Sequence, residues 1–157
     1  MILKGLVEED FLNYKKPCMF LCFPYCTFKC DKENGTNYCH NRYLEKQNQM
    51  DISIDKIVSK YINNDITKAI LCAGLEPFDS WDDLYQLIKA LREKTDDDIV
   101  IYTGYNWDEI SHIVYILKQF KNIIIKYGRF IPNQEPHFDE VLGVNLASDN
   151  QYAEKIS

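Results

Sequence analysis

Four short apolar runs in the middle of the chain constrain its fold more than any other feature, and they lie at 19–23, 69–72, 99–103 and 123–126. Between the later runs, apolar residues recur at helical spacing in three segments, 53–63, 80–94 and 106–120. Strands that alternate with helices in this way predict βαβ units and a parallel sheet with right-handed crossovers. The runs are apolar throughout, as expected for strands that are covered on both faces. The chain is therefore predicted to be an α/β protein.

The starts of the helices have recognisable capping signals. Ser53 stands at the N-cap position of the first helix. The segments Ser80-Trp-Asp-Asp83 and Asn106-Trp-Asp-Glu109 have the form of capping boxes for the next two. Residues 1–17 are predicted to form an arm with one turn, and residues 129–157 to be irregular, with a possible strand at 141–146.

Length and composition narrow the class of protein. A chain of 157 residues is long enough for one core and too short for two comfortable domains. No apolar run approaches the length of a membrane span, and the N-terminus lacks the layout of a signal peptide. We therefore expect a cytoplasmic protein with reduced cysteines and no membrane partner. The net charge of −6 argues against binding to nucleic acid, which requires a basic face.

Most of the cysteines lie in a loop that follows the first predicted strand, at about 24–41. Cys26, Cys30 and Cys39 all follow Pro24 in polar, turn-rich sequence, whereas Cys18, Cys22 and Cys72 flank or occupy strands and are expected to be buried. In a reduced compartment such a group predicts metal or redox chemistry. Structural zinc usually shows two close cysteine pairs, which are missing here. Three loop cysteines favour an iron–sulfur cluster with one iron left open, and zinc stays as the alternative.

Several segments resemble the glycyl-radical-enzyme activases of the radical S-adenosylmethionine (SAM) superfamily. Tyr38-Cys39-His40-Asn41-Arg42 is similar to the end of that family's cluster motif, and Cys26-Thr-Phe-Lys-Cys30 to its C-x3-C portion. Gly74-Leu-Glu-Pro77 resembles the G-G-E-P segment that meets the amino group of SAM. Three further segments resemble sequence motifs of the anaerobic ribonucleotide reductase activase: Tyr102-Thr-Gly-Tyr105, Gly128-Arg-Phe-Ile131 and Ser148-Asp-Asn-Gln151. The matches follow the family's order.

The resemblance implies a partial, TIM-like barrel of parallel strands, of radical SAM type and minimal size, with residues 1–157 as a single domain. It implies a 4Fe-4S cluster on Cys26, Cys30 and Cys39, and SAM as second cofactor. Tyr38 and His40 are then expected near the adenine, Gly74 and Glu76 at the methionine end of SAM, and Thr103 at the ribose or the methionine carboxylate. No catalytic residue beyond the cluster ligands is implied.

The same resemblance implies an activity and partners. The expected enzyme is an oxidoreductase that cleaves SAM reductively to a 5′-deoxyadenosyl radical and installs a glycyl radical on a partner. The implied partner is a glycyl radical enzyme, with anaerobic ribonucleotide reductase as the first choice. A reducing electron donor such as flavodoxin is the other implied partner.

Two departures from the family pattern keep alternatives open. Eight residues separate Cys30 from Cys39, where the family has two, and Leu75 replaces the second glycine of the G-G-E-P segment. The cysteine spacing also permits Cys22, Cys26 and Cys30 as the ligand set. A side chain at position 75 bears on how closely the backbone can approach SAM. The alternative functions are a radical SAM enzyme that acts on another polypeptide and a metal-stabilised binding module without SAM chemistry.

Overall fold

The computed structural model describes residues 1–157 as one mixed arrangement of strands and helices. The β-strands are β1 (Ile2–Leu3), β2 (Gly5–Asp10), β3 (Cys18–Phe23), β4 (Met50–Asp51), β5 (Ala69–Gly74), β6 (Asp98–Tyr102), β7 (Ile123–Tyr127), β8 (His137–Asp139), β9 (Val144–Leu146) and β10 (Tyr152–Lys155). The α-helices are α1 (Lys29–Asn34), α2 (Ile54–Ile62), α3 (Trp81–Arg92) and α4 (Trp107–Leu117). Two 3₁₀ helices cover Arg42–Lys46 and Pro77–Ser80.

Six strands form the main sheet, in the order β10-β7-β6-β5-β3-β2. The four central strands are the apolar runs of the sequence, and they pair in parallel as predicted. Both edge strands, β2 and β10, run antiparallel to their neighbours. The result is a mixed, open sheet, and its likeness to an incomplete barrel stays a prediction. Two small antiparallel sheets of two strands each, β1 with β4 and β8 with β9, lie outside it.

The two faces of the main sheet are covered differently. On one face, large aliphatic side chains such as Leu21, Ile70 and Ile101 pack against apolar residues of α2, α3 and α4 in the larger core cluster. The other face carries smaller side chains, including Ala69 and Ala73, and its covering residues come from loops and short strands instead of helices. Because side chains alternate along a strand, each central strand contributes to both clusters.

The helix starts confirm most of the capping predictions. The Ser53 side chain accepts a hydrogen bond from the Lys56 N–H, and the capping box of Asn106 with Glu109 is present. Ser80 precedes α3 as its N-cap residue, but the predicted capping box is wrong there, since the Ser80 side chain makes no capping hydrogen bond. The chain turns earlier there, because Glu76 caps the 3₁₀ helix Pro77–Ser80 and α3 continues directly from it.

Three regions are more ordered than predicted. The N-terminal arm contains β1 and β2, and the C-terminal region contains β8, β9 and β10, of which β9 lies within the strand predicted at 141–146. The cysteine loop contains the short helix α1. All these elements are short and most are polar, so hydrophobic periodicity gives no signal for them.

The central strands deliver their carboxyl ends to one edge of the sheet. Phe23 pairs with Gly74, and Tyr102 pairs with Lys126, so the segments that follow these strands emerge side by side. Gly74 has a φ of 90°, and a Cβ there would lie 2.5 Å from the Cys22 Sγ and 2.9 Å from the Cys22 Cα. Only glycine allows β5 and β3 to approach so closely at this edge. Separately, none of the helices combines the length and apolarity needed to cross a bilayer.

Candidate functional site

A cavity of about 330 Å³ lies at the carboxyl edge of the parallel strands. Seven of the eight site residues predicted from the sequence line it: Cys26, Cys30, Cys39, His40, Gly74, Glu76 and Thr103. Tyr38 does not line the cavity, and its side chain is 64% exposed. In α/β folds this edge of the sheet is where ligands bind. The structure therefore brings nearly the whole predicted constellation to one place.

The six cysteines divide into two groups. Cys26, Cys30 and Cys39 are partly buried and line the cavity, whereas Cys18, Cys22 and Cys72 are buried, and none forms a disulfide. Cys22 lies in β3, packs with Leu44 and Leu75 in a small apolar cluster, and does not line the cavity. Cys26 also lines a shallow groove on the outer surface, together with Lys4 and Tyr25. The accessible thiols are thus the three that were predicted as ligands.

The chemistry of these thiols suits a soft metal. Burial raises the pKa of Cys26 to about 12, against the opposing hydrogen bond from the Phe28 N–H, and burial also raises the pKa of Cys39. Both are therefore protonated at neutral pH, and metal binding must displace their protons. No three Cys, His, Asp or Glu side chains converge as a single metal ion requires. A four-iron cluster makes a different demand, because each thiolate binds its own iron.

Glu76 joins the ends of two strands beneath the cavity. Its carboxylate accepts the Gly104 N–H at 2.9 Å through Oε2 and the Phe78 N–H at 3.1 Å through Oε1. The side chain is only 4% exposed, and this burial raises its pKa to about 7 despite the hydrogen bonds, with a further contribution from Asp79. A carboxyl group with a pKa so near neutrality, in a cleft, is typical of a functional site.

We expect the raised pKa of Glu76 to appear in the pH dependence of stability. A carboxyl group that binds its proton more tightly when folded stabilises the fold at low pH, and this contribution is lost as the pH rises. The free energy of unfolding of the metal-free protein should fall between about pH 5 and pH 7, by up to about 1.4 kcal/mol per pH unit. Denaturant titrations at several pH values should show this slope in the wild type and not in Glu76→Gln.

The exposed Glu135 provides the matched control, since its side chain makes no hydrogen bond. Glu135→Gln should keep the wild-type slope. An unchanged slope in Glu76→Gln would assign the pH dependence to another group.

Lys126 is a site residue that the sequence reasoning missed. It lies on β7, lines the cavity and is only 9% exposed, yet its ammonium forms no ion pair and no hydrogen bond within the protein. Burial lowers its pKa to about 8, although Cys30 and Glu76 favour its charged form. The signal was present as a lysine in the otherwise apolar strand 123–126. A buried lysine without an anionic partner is costly, and this one, which has only the Tyr102 ring 6.0 Å from its ammonium, lines a cavity that can hold an anion.

Thr103 and His40 line the cavity in different ways. The Thr103 side chain is buried, and its hydroxyl accepts the Tyr105 N–H at 3.0 Å, so it already serves the turn after β6. His40 is exposed at the mouth, where its ring lies 4.6 Å from the ring of Phe130. The two rings are inclined by 48° to each other and place two aromatic surfaces beside Cys39.

The segment after Cys39 is tied to the end of β5 by Asn41, whose side-chain amide donates to the Gly74 carbonyl at 2.7 Å. Asn41→Ala should lower the free energy of unfolding by about 1 kcal/mol, because this partly buried hydrogen bond is lost. Urea denaturation would measure the change. Asn37→Ala, in the same loop but at an exposed position without such a bond, should leave stability within error.

A buried arginine connects the cysteine segment to the rest of the site. Arg129 donates to Glu33 of α1 at 2.8 and 3.0 Å, to Glu109 of α4 at 2.8 Å and to the Gly104 carbonyl. Although burial opposes it, bonds from Arg129, the Asn106 N–H and Lys29 lower the pKa of Glu109 to about 2. The network therefore stays charged at neutral pH and holds α1 against the strand ends.

The two C-terminal segments that resemble activase motifs, 128–131 and 148–151, pack against each other. The Ser148 hydroxyl and the Asn150 amide both donate to the Arg129 carbonyl, and the Gln151 amide donates to the Gly128 carbonyl. Ser148 and Gln151 are buried. These bonds fix the turn after β7, which carries Arg129 and Phe130 to the cavity.

Three accessible cysteine thiols lie together at the carboxyl ends of the parallel strands of an α/β sheet. This arrangement is typical of a protein that holds a soft metal centre. Comparison with known families identifies the centre. Residues 17–151 match the model of the 4Fe-4S single cluster domain, and the chain belongs to this family. No curated protein and no solved structure matched the chain. The predicted iron–sulfur class is thereby confirmed, and the donor set of three free thiols fits such a cluster.

Proposed function

We propose that this iron–sulfur protein is a radical SAM activase that installs a glycyl radical on a partner enzyme. The observation that carries the proposal is the single cavity, in which the thiols of Cys26, Cys30 and Cys39 meet Glu76 and Lys126. The chemistry that the cluster supplies when bound is one-electron cleavage of SAM, which gives methionine and a 5′-deoxyadenosyl radical able to take hydrogen from a glycine. Membership of a 4Fe-4S family supports the cofactor.

The cysteines would act as ligands in a protected site. Three protein thiolates leave one iron of a four-iron cluster without a protein ligand, and this is the position that a substrate can occupy. The raised pKa values of Cys26 and Cys39 mean that loading releases protons, so it should be faster at higher pH. The protein's own contribution is to place and shield the reacting groups.

The charges in the cavity suit the two ends of an amino acid. Methionine at one end of SAM carries an ammonium and a carboxylate, and the cavity offers Glu76 and Lys126 as opposite charges. In this proposal Lys126 binds the carboxylate, because its ammonium makes no ion pair or hydrogen bond within the protein. The backbone at Gly74 and Glu76 receives the ammonium, and Thr103 supports the turn behind it.

The rings at the mouth suit a flat base. His40 and Phe130 stand together beside Cys39, and aromatic side chains bind bases by stacking. We propose that this pair contacts the adenine. Tyr38, which the sequence placed in the same role, lies outside the cavity and has no part in it here.

The first test is SAM cleavage by the anaerobically reconstituted protein. With a strong chemical reductant, we expect 5′-deoxyadenosine and methionine in equal amounts, measured by chromatography. A protein that carries a full complement of iron and sulfide but forms neither product would overturn the SAM proposal. It would favour a cluster-stabilised binding module instead.

A second experiment addresses the partner. We propose anaerobic ribonucleotide reductase as the substrate protein and a flavodoxin-type protein as electron donor. Incubation of all three with SAM should give the doublet electron paramagnetic resonance (EPR) signal of a glycyl radical. SAM cleavage without that signal would direct the search to another polypeptide substrate.

A further inference from the structure

The segment between Cys30 and Cys39 has an internal structure of its own. Its first residues, 31–34, belong to α1, and Gly35 ends the helix with a φ of 62°. The Thr36 N–H then donates to the Asp31 carbonyl at 2.9 Å. The insertion is thus a folded turn of helix and not an open loop.

Asp31 is the centre of this fold. Its side chain is buried, with a residue exposure of 3%, and all its hydrogen bonds go to residues beyond the helix. Oδ1 accepts the Cys39 N–H at 3.0 Å and the Thr36 hydroxyl at 3.3 Å. Oδ2 accepts two donors of the Arg42 guanidinium, at 2.9 and 2.7 Å. The residue next to one cysteine therefore binds the backbone of another.

Arg42 completes the arrangement from the exposed side. Its guanidinium carbon lies 4.2 Å from the centroid of the Phe28 ring, so the arginine spans the start of α1 and the segment after Cys39. Charge-assisted hydrogen bonds of this kind are stronger than neutral ones, and a carboxylate removed from water must keep its partners. A single ion pair thus fixes both ends of the insertion.

We propose that Asp31 is a positioning residue, which sets the relative placement of Cys30 and Cys39 for the cluster. The proposal rests on the assignment of these two cysteines as ligands under the proposed function. It explains how a spacing of eight residues between Cys30 and Cys39 is compatible with one cluster site. Neither Asp31 nor Arg42 needs to touch the cluster for this role, because the Cys39 backbone transmits the constraint.

The test compares Asp31→Asn with wild type in two measurements. Asparagine keeps the shape of the side chain but loses the charge that binds Arg42. Iron loss to a chelator from the reconstituted protein should become about 10- to 100-fold faster, as for other residues that orient metal ligands. Limited proteolysis of the metal-free protein should also cut within residues 31–42 sooner than in wild type.

Two further variants sharpen the result. Glu45→Gln is the matched control, because Glu45 is exposed and lies 3.8 Å from the same guanidinium, and it should behave as wild type. Arg42→Gln removes the same ion pair by changing the other partner. It should also accelerate iron loss, and it replaces Asp31→Asn as the test if that variant fails to fold. Since both residues act as one unit, Asp31→Asn with Arg42→Gln should add little to either single change.

Cys39→Ser, measured in parallel, separates this proposal from the ligand assignment. If Cys39→Ser keeps its full iron content, the ligand assignment fails and the positioning role with it. If Cys39→Ser loses iron while Asp31→Asn retains it at the wild-type rate, only the positioning role is overturned. An equal effect of Glu45→Gln would also overturn it, because the response would then reflect surface charge alone.

Discussion

Cys39→Ser is expected to abolish formation of 5′-deoxyadenosine and to remove most of the cluster. A four-iron cluster held by three thiolates loses a third of its protein ligands, and serine is a harder donor than the thiolate that iron–sulfur clusters use. Iron and sulfide assays after anaerobic reconstitution would measure the loss. The same outcome is expected for Cys26→Ser and Cys30→Ser, because all three thiols line the cavity.

Cys22→Ala provides the control for this experiment. Cys22 is buried against Gly74, Leu44 and Leu75, and it does not line the cavity. The variant should therefore keep the cluster and SAM cleavage at wild-type levels. If iron were lost in Cys22→Ala and kept in Cys39→Ser, the ligand set would be Cys22, Cys26 and Cys30 instead.

Lys126→Met is expected to change stability and SAM binding in opposite directions. The buried ammonium has no carboxylate or hydrogen-bond partner in the protein and only the Tyr102 ring 6.0 Å away, so methionine of similar length should raise the free energy of unfolding of the metal-free protein by up to about 3 kcal/mol. SAM affinity of the cluster-loaded protein should fall at least about tenfold, because the carboxylate loses its cation. Thermal melts and equilibrium binding of SAM would give the two values.

The pH dependence provides an independent check on Lys126. A lysine whose pKa is lowered to about 8 in the fold is a destabilising charge below that pH, and the penalty is relieved as the pH rises from about 8 toward its unfolded value. Wild-type stability should therefore contain a rising component in this range that Lys126→Met lacks. Lys118→Met is the matched control. Lys118 is exposed, so this change should affect neither stability nor SAM affinity. A fall in stability in Lys126→Met would show that the lysine has a structural partner.

The parts of the fold that the sequence predicts are those governed by local pattern. The central strands and three helices appear in the alternation of apolar runs, and the cap at Asn106 in four consecutive residues. The edge strands β2 and β10 were missed because few or none of their residues are buried, so they depend on pairing with a distant neighbour. Helix α1 was missed because its stability depends on two arginines outside its own sequence: Arg42 binds Asp31, and Arg129 binds Glu33.

In the site, too, the features set by local sequence were predictable and those set by tertiary contacts were not. The separation of Cys26, Cys30 and Cys39 from the buried cysteines was predictable from Pro24 and the polar sequence beyond it. Lys126 and its lack of an anionic partner were not, since pairing depends on which side chains the fold brings near. The exposure of Tyr38 outside the cavity was not predictable either, because adjacency to Cys39 in sequence does not determine the direction of its side chain.

The unequal coverage of the main sheet has a consequence for how this protein can change. Helices pack on one face, whereas the cavity opens beside the small side chains of the other, where Ala73 leaves room that a larger residue would fill. Packing beneath the helices can therefore be altered without narrowing the space for a ligand. The helix-packed core and the ligand cavity therefore lie on opposite faces of the same sheet. Selection can act on the residues of each face separately.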